Sequence, residues 1–186
     1  MQFSRRRLPH RYSIGEPIFL TFRLYGSLPP GREFRGGHLD SGKAFVCMDR
    51  LLDEYRTGPA YLRLPAIADI VADRIRQGGE CDDDLHAWVV MPNHAHLLIS
   101  PRVDVPVLMR RLKGGSAREA NQLLGQTGKP FWQDESYDHL VRNTDEFHCL
   151  ENCIVENPVR AGLARSVEEY PWCGAPKRGG LKAAAG

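Results

Sequence analysis

Apolar side chains along this chain follow two rhythms. From Pro17 to Tyr25 β-branched and aromatic residues alternate with other types, the two-residue period of a strand. The runs Leu85 to Val90 and His94 to Ile99 also read as strands, and Met91-Pro92-Asn93 between them supplies the Pro and Asn of a tight connection, so an antiparallel hairpin is predicted. From Lys43 to Arg56 and from Pro65 to Arg76 the apolar residues return at helical spacing, with Pro65 suited to a first helical turn. Two helices on one side of a sheet follow. Val107 to Leu124 carries Leu108, Leu112 and Leu123-Leu124, but Gly114-Gly115 interrupts it, and each glycine costs a helix about 1 kcal/mol relative to alanine. Tyr137 to Val141 is a further strand candidate. Asp145 to Glu156 predicts a helix ending near Pro158, because the residue before a proline avoids the α region. Gly26 to Gly42, rich in Gly and Pro, reads as a long loop. This order is α+β, an antiparallel sheet covered by helices.

Composition bounds the organisation. With 186 residues and 42% hydrophobic content, the chain can bury one sizeable core. A single domain over residues 14–173 is expected, with a basic, aperiodic and flexible arm at 1–13 and a disordered Gly-, Ala- and Lys-rich tail at 174–186. The five cysteines are odd in number and lack close-set framework spacing, and no N-terminal apolar run marks a signal peptide, so a cytoplasmic protein is expected. No stretch approaches the roughly 18 consecutive apolar residues of a membrane span. The net charge of +2 predicts nothing by itself, yet basic residues cluster at Arg5-Arg6-Arg7 with Arg11, at Arg110-Arg111 with Lys113 and Arg118, and at Lys177-Arg178. Such patches suit a polyanion; their bland alternative is a solvated face.

The sharpest chemical feature is His94-Ala95-His96. On a strand the two imidazoles point the same way, so the hairpin would present a metal-binding edge, unless the pair is only hydrogen-bonded. Two further blocks follow in order, Phe131-Trp132-Gln133-Asp134-Glu135-Ser136-Tyr137-Asp138-His139 and Glu156-Asn157-Pro158-Val159-Arg160-Ala161-Gly162-Leu163. Together the three blocks, spread between about Phe19 and Trp172, resemble the bacterial transposase-like family that includes the REP-associated tyrosine transposases, HUH single-strand DNA transesterases.

That resemblance implies a ferredoxin-like antiparallel sheet with helices packed on it, and a magnesium or manganese ion held by His94, His96 and a polar side chain from a later helix, here Asn157. An amide oxygen is a hard donor acceptable to either ion, and the alternative for Asn157 is a helix C-cap. Four residues before that ligand the family places a nucleophilic tyrosine that forms a phosphotyrosine link; this chain has Cys153 there. Three outcomes stay open. The chain keeps the fold, the metal site and DNA binding but does not cut; Tyr137 serves instead, its alternative being a packing or DNA-contacting aromatic; or Cys153 itself attacks as a thiolate. A zinc set of His94, His96, Cys149 and Cys153 is a remote fourth.

For the nucleic acid, Arg110, Arg111, Lys113 and Arg118 are candidate phosphate contacts, with Ser116 and Asn121 as neutral additions. Trp132 and Tyr137 are candidate stacking platforms, with core packing as the alternative, and Arg160 contacts phosphate or caps the last helical turn. The expected function is binding of single-stranded or hairpin DNA with, by resemblance, metal-assisted cleavage and rejoining. The competing reading is a domesticated, non-cutting DNA-binding or regulatory protein. No role is assigned to Asp138, His139, His86 or His148, and nothing indicates the oligomeric state.

Overall fold

A computed structural model describes residues 13–27, 52 and 58–175. The expected arm apart from Ser13, the Gly26 to Gly42 loop beyond Ser27, the Lys43 to Arg56 helix apart from Leu52, and the expected tail beyond Ala175 lie outside them, while Gly174, the first residue of that tail, belongs to a strand. Among the described residues five strands form one antiparallel sheet: β1 (Ile18–Arg23), β2 (Asp83–Val90), β3 (His94–Pro101), β4 (Tyr137–Leu140) and β5 (Cys173–Gly174), in the order β4-β1-β3-β2-β5. Three α-helices lying wholly within the described residues accompany them: α1 (Pro65–Cys81), α2 (Val105–Leu123) and α3 (Thr144–Arg160). The α+β class is as expected. The series from β1 to β4 is the β-α-β-β-α-β arrangement of ferredoxin-like folds, and α3 and β5 follow it.

Alternation along the strands builds two cores. Ile18, Leu20 and Phe22 of β1 and Ala95, Leu97 and Ile99 of β3 face α1 and α2, which contribute Ile67, Val71, Ile75, Leu108 and Leu112. Phe19 of β1, Leu98 of β3 and Val89 of β2 face α3, which contributes Leu150 and Ile154. The sheet is therefore covered by α1 and α2 on one side and by α3 on the other. In β2 the register against β3 shifts between Leu85 and Ala87. A bulge there changes which residues share a face: Leu85 packs with the first core and Ala87 with the second.

The helix ends follow from local chemistry, with two departures from expectation. Asn143 opens α3, its side chain accepting from the Glu146 N–H at 2.8 Å, while Glu146 Oε2 accepts from the Arg142 N–H at 2.7 Å; two otherwise unbonded donors are satisfied. The helix does not stop before Pro158 but carries it in its last turn and continues to Arg160. Proline there removes one N–H and crowds the preceding turn, and the Arg160 guanidinium donates to the Cys153 carbonyl at 2.7 Å in that stretch. Beyond the end, Gly162 takes a left-handed φ of 70°. Its N–H bonds the Val159 carbonyl at 3.0 Å and the Leu163 N–H bonds that of Pro158 at 2.8 Å, a Schellman stop. The Asn157 to Leu163 block is thus a helix terminus. The second departure is α2, unbroken through Gly114 and Gly115 because its Leu108, Leu112 and Ala120 stripe is held in the core. A Cβ on Gly115 would lie 3.1 Å from the Arg74 guanidinium, so that glycine accommodates α1; Gly114 faces open space.

Candidate functional site

His94 and His96 lie on β3, the middle strand, and both are fully buried. The expected edge presentation is therefore corrected: the pair sits at the centre of a sheet face, beneath the layer that α3 forms. Period-two alternation does put the rings together, with centroids 4.6 Å apart. Each ring is oriented by a neighbour on its Nδ1. Asn93 Oδ1 is 2.6 Å from His94 Nδ1, and Thr21 Oγ1, directly across on β1, is 2.7 Å from His96 Nδ1. With Nδ1 held in those bonds, Nε2 is the nitrogen of each ring that a metal ion would take, the arrangement in which an outer partner fixes a ligating imidazole. Asn93 is itself anchored, donating from Nδ2 to the Leu52 carbonyl at 3.0 Å. Phe19 stacks on His96 at 5.5 Å and meets Tyr137 edge-on at 6.2 Å.

Asn157 is fully buried and continues the Leu150, Ile154 stripe of α3 that packs on this face. It is not a C-cap; Ala161 holds that place. Two imidazoles on the sheet and a buried amide on the helix that covers them are donor types that suit magnesium or manganese. Cys153, one turn before Asn157, is half-buried and packs beside the same core. Cys149, another turn back, is exposed, and its thiol is pushed up by burial and by the neighbouring Cys153 thiol. Among the described residues no three His, Cys, Asp or Glu side chains come together as a metal cluster, so the zinc set is not assembled.

Tyr137 on β4 pairs with Thr21, which places its ring on the histidine face, two strands from β3. Burial, and then the Glu146 carboxylate, push its phenol above the ordinary value, which disfavours the phenolate. His139 on the same strand is tied to Glu146 of α3 at 2.9 Å.

The remaining expected residues divide. Arg110, Arg111 and Arg118 are exposed on α2, across the sheet from the histidines, and Arg111 pairs with Asp82. Lys113 donates to the carbonyls of Gln133 at 2.5 Å and Asp134 at 3.0 Å and to Ser136 Oγ at 3.3 Å, so it braces α2 against the loop before β4 instead of reaching outward. Burial lowers its ammonium to about 8; Asp134 opposes that shift and Arg23 adds to it. Trp132 is a core residue, edge-on to Phe22 at 4.8 Å and to Phe131 at 4.9 Å, and its indole N–H donates to Ser116 Oγ at 3.0 Å. A ring packed in that way offers no face to a base. Ser116 is fully buried and Asn121 donates to the Lys129 carbonyl, so both are structural. Arg160 is exposed and donates to a carbonyl of its own helix.

Three residues that shape this face were not singled out from the sequence. Thr21 and Asn93 orient the two rings, and Arg23 pairs with His94 across β1 and β3. The signal for Thr21 is its position two residues before Arg23 on an alternating strand; Asn93 was legible only as a turn residue.

The model of the family described as "Transposase IS200 like" matches residues 70–148, a span that includes His94, His96 and Tyr137 and stops short of Cys153 and Asn157. A REP-associated tyrosine transposase of Escherichia coli (strain K12) is 28% identical over 92 residues, 48% of this chain and 52% of that protein. The chain thus spans about half the length of that curated relative. The solved structure of a REP-associated tyrosine transposase bound to a REP hairpin superposes with a TM-score of 0.54 at 20% identity, over 90% of this chain and 81% of that one, a likeness of fold.

Proposed function

We propose that the chain is a member of the IS200-like transposase family, whose model matches residues 70–148, and that it binds single-stranded or hairpin DNA on the sheet face carrying His94 and His96. One observation carries this reading: two buried imidazoles, each with its Nδ1 bonded to a neighbour, lie on the sheet face that α3 covers with its buried stripe of Leu150, Ile154 and Asn157. These three side chains would hold magnesium or manganese. A bound ion supplies Lewis-acid stabilisation of charge on the oxygens of a strand's phosphodiester. Asn93 Oδ1, an acceptor, places the His94 proton on Nδ1, Thr21 orients the His96 ring through its Nδ1, and Phe19 walls the site with its ring. The relative solved with a REP hairpin supports a structured DNA partner.

The family's chemistry is strand cleavage and rejoining, and Cys153 decides whether this chain performs it. The thiol stands one helical turn from Asn157, where a nucleophile would face the metal, but its attack would leave a phosphorothiolate in place of a phosphotyrosine. Tyr137 is the other candidate, and its raised phenol pKa works against it. A second reading is therefore favoured by a specific feature, the thiol at position 153: a protein that holds its DNA without cutting.

Purified protein incubated with manganese and labelled hairpin DNA, followed by native and denaturing gels, tests both. Retarded DNA with no cleavage and no covalent adduct supports the non-cutting form. An adduct mapped by mass spectrometry to Cys153 or Tyr137 establishes an active transesterase with an altered nucleophile. Absence of any DNA binding overturns the proposal. In the non-cutting case Cys153→Tyr is expected to restore manganese-dependent cleavage if only the nucleophile is missing.

A further inference from the structure

We propose that Arg23 forms a phosphate-binding subsite beside His94 that takes a phosphodiester group of the bound strand; this rests on the DNA-binding reading above. Register settles its position. The Thr21 to His96 hydrogen bond shows which face of β1 and β3 those two residues share. Arg23 follows Thr21 by two residues and His94 precedes His96 by two, so alternation sets Arg23 and His94 side by side on that face. Directly opposed residues on antiparallel strands have Cβ atoms roughly 5 Å apart, well within the reach of a guanidinium.

The surroundings suit an anion. Arg23 is half-buried, and one of its donors reaches Ser27 Oγ at 3.3 Å. Lys113 lies close enough for the two cations to repel, and its three donors are directed at Gln133, Asp134 and Ser136. Lys113 is thus a fixed charge, while Arg23 brings a planar fork that matches two oxygens of one phosphate. Two partly desolvated like charges are costly side by side, and the fields of Glu135 on Arg23 and of Asp134 on Lys113 offset part of that cost. A phosphodiester at the Arg23 fork would supply the paired oxygens that a guanidinium matches. Among the described residues, Arg23 of β1 is the cation paired directly across from a histidine, whereas the arginines of α2 lie across the sheet.

Fluorescence anisotropy of a labelled DNA hairpin, titrated across salt concentration, tests the subsite. Wild-type protein is expected to bind with a log–log salt slope that Arg23→Gln lowers by about one unit, with affinity falling roughly tenfold for every sequence tried. Arg23→Lys is expected to retain the slope and lose several-fold in affinity, because the charge survives and the fork does not. A residue that merely propped the turn at Ser27 would leave the slope untouched. Binding by wild type with both variants unchanged overturns the subsite and leaves the DNA reading standing. No binding by wild type overturns the DNA reading and the subsite together. Should Arg23→Gln fail to fold, the comparison with Arg23→Lys decides, and unchanged affinity there overturns the fork.

Discussion

At the scale of single residues, the two histidines depend on partners that sequence spacing does not display. His94-Ala95-His96 is visible because alternation is a property of any extended backbone, so a shared face follows wherever the strand lies. That Asn93 and Thr21 hold the rings is a matter of register, since Thr21 stands 75 residues from His96. Asn93→Ala or Thr21→Val is expected to weaken manganese binding by roughly 10- to 100-fold while the fold persists, measured by calorimetric titration beside circular dichroism. Unchanged affinity in both would mean that the imidazoles do not ligate. Spacing correctly set Cys153 and Asn157 on one helical face, and burial of Asn157 then decided against a cap.

Among elements, strands and helices were legible where apolar periodicity was strong and misjudged where proline or glycine intervened. Local propensity ended α3 before Pro158 and weakened α2 at Gly114-Gly115; packing on the sheet outweighed both preferences. Propensity still contributes where packing does not. Gly114 lies mid-helix and exposed, with open space where a Cβ would stand, so Gly114→Ala is expected to raise stability by about 0.5–1 kcal/mol, read as a higher denaturation midpoint. Gly162 is the opposite case. Its left-handed φ closes the Schellman stop, and Gly162→Ala is expected to cost about 1 kcal/mol, with the same measurement showing a lower midpoint. The bulge in β2 left no mark on the apolar pattern, because a one-residue shift is defined by the partner strand.

For the whole molecule, stability depends on a carboxyl outside the histidine site. Asp83 opens β2, is buried, and has its pKa raised to about 7 mainly by burial; Asp82 and Asp84 add to the shift and Arg102 opposes it. Between about pH 4 and pH 7 the folded chain therefore holds a proton that the unfolded chain has released, and stability falls as pH rises through that window. The loss is on the order of 4 kcal/mol at full effect. Asp83→Asn is expected to flatten the decline, so that its melting temperature exceeds wild type at about pH 8 and the difference shrinks towards about pH 4. A constant difference across pH would sink the assignment. The amino-acid sequence alone determined the α+β class, the hairpin, the common face of the two histidines and the turn between Cys153 and Asn157, since each follows from backbone periods acting over a few residues. Only the tertiary structure decided that β3 is central, that α3 covers the histidines while the arginines of α2 lie across the sheet, that Trp132 is core and Lys113 a brace, and that Arg23 stands beside His94. Those outcomes depend on which distant strands pair and in which register, and no local spacing encodes that choice.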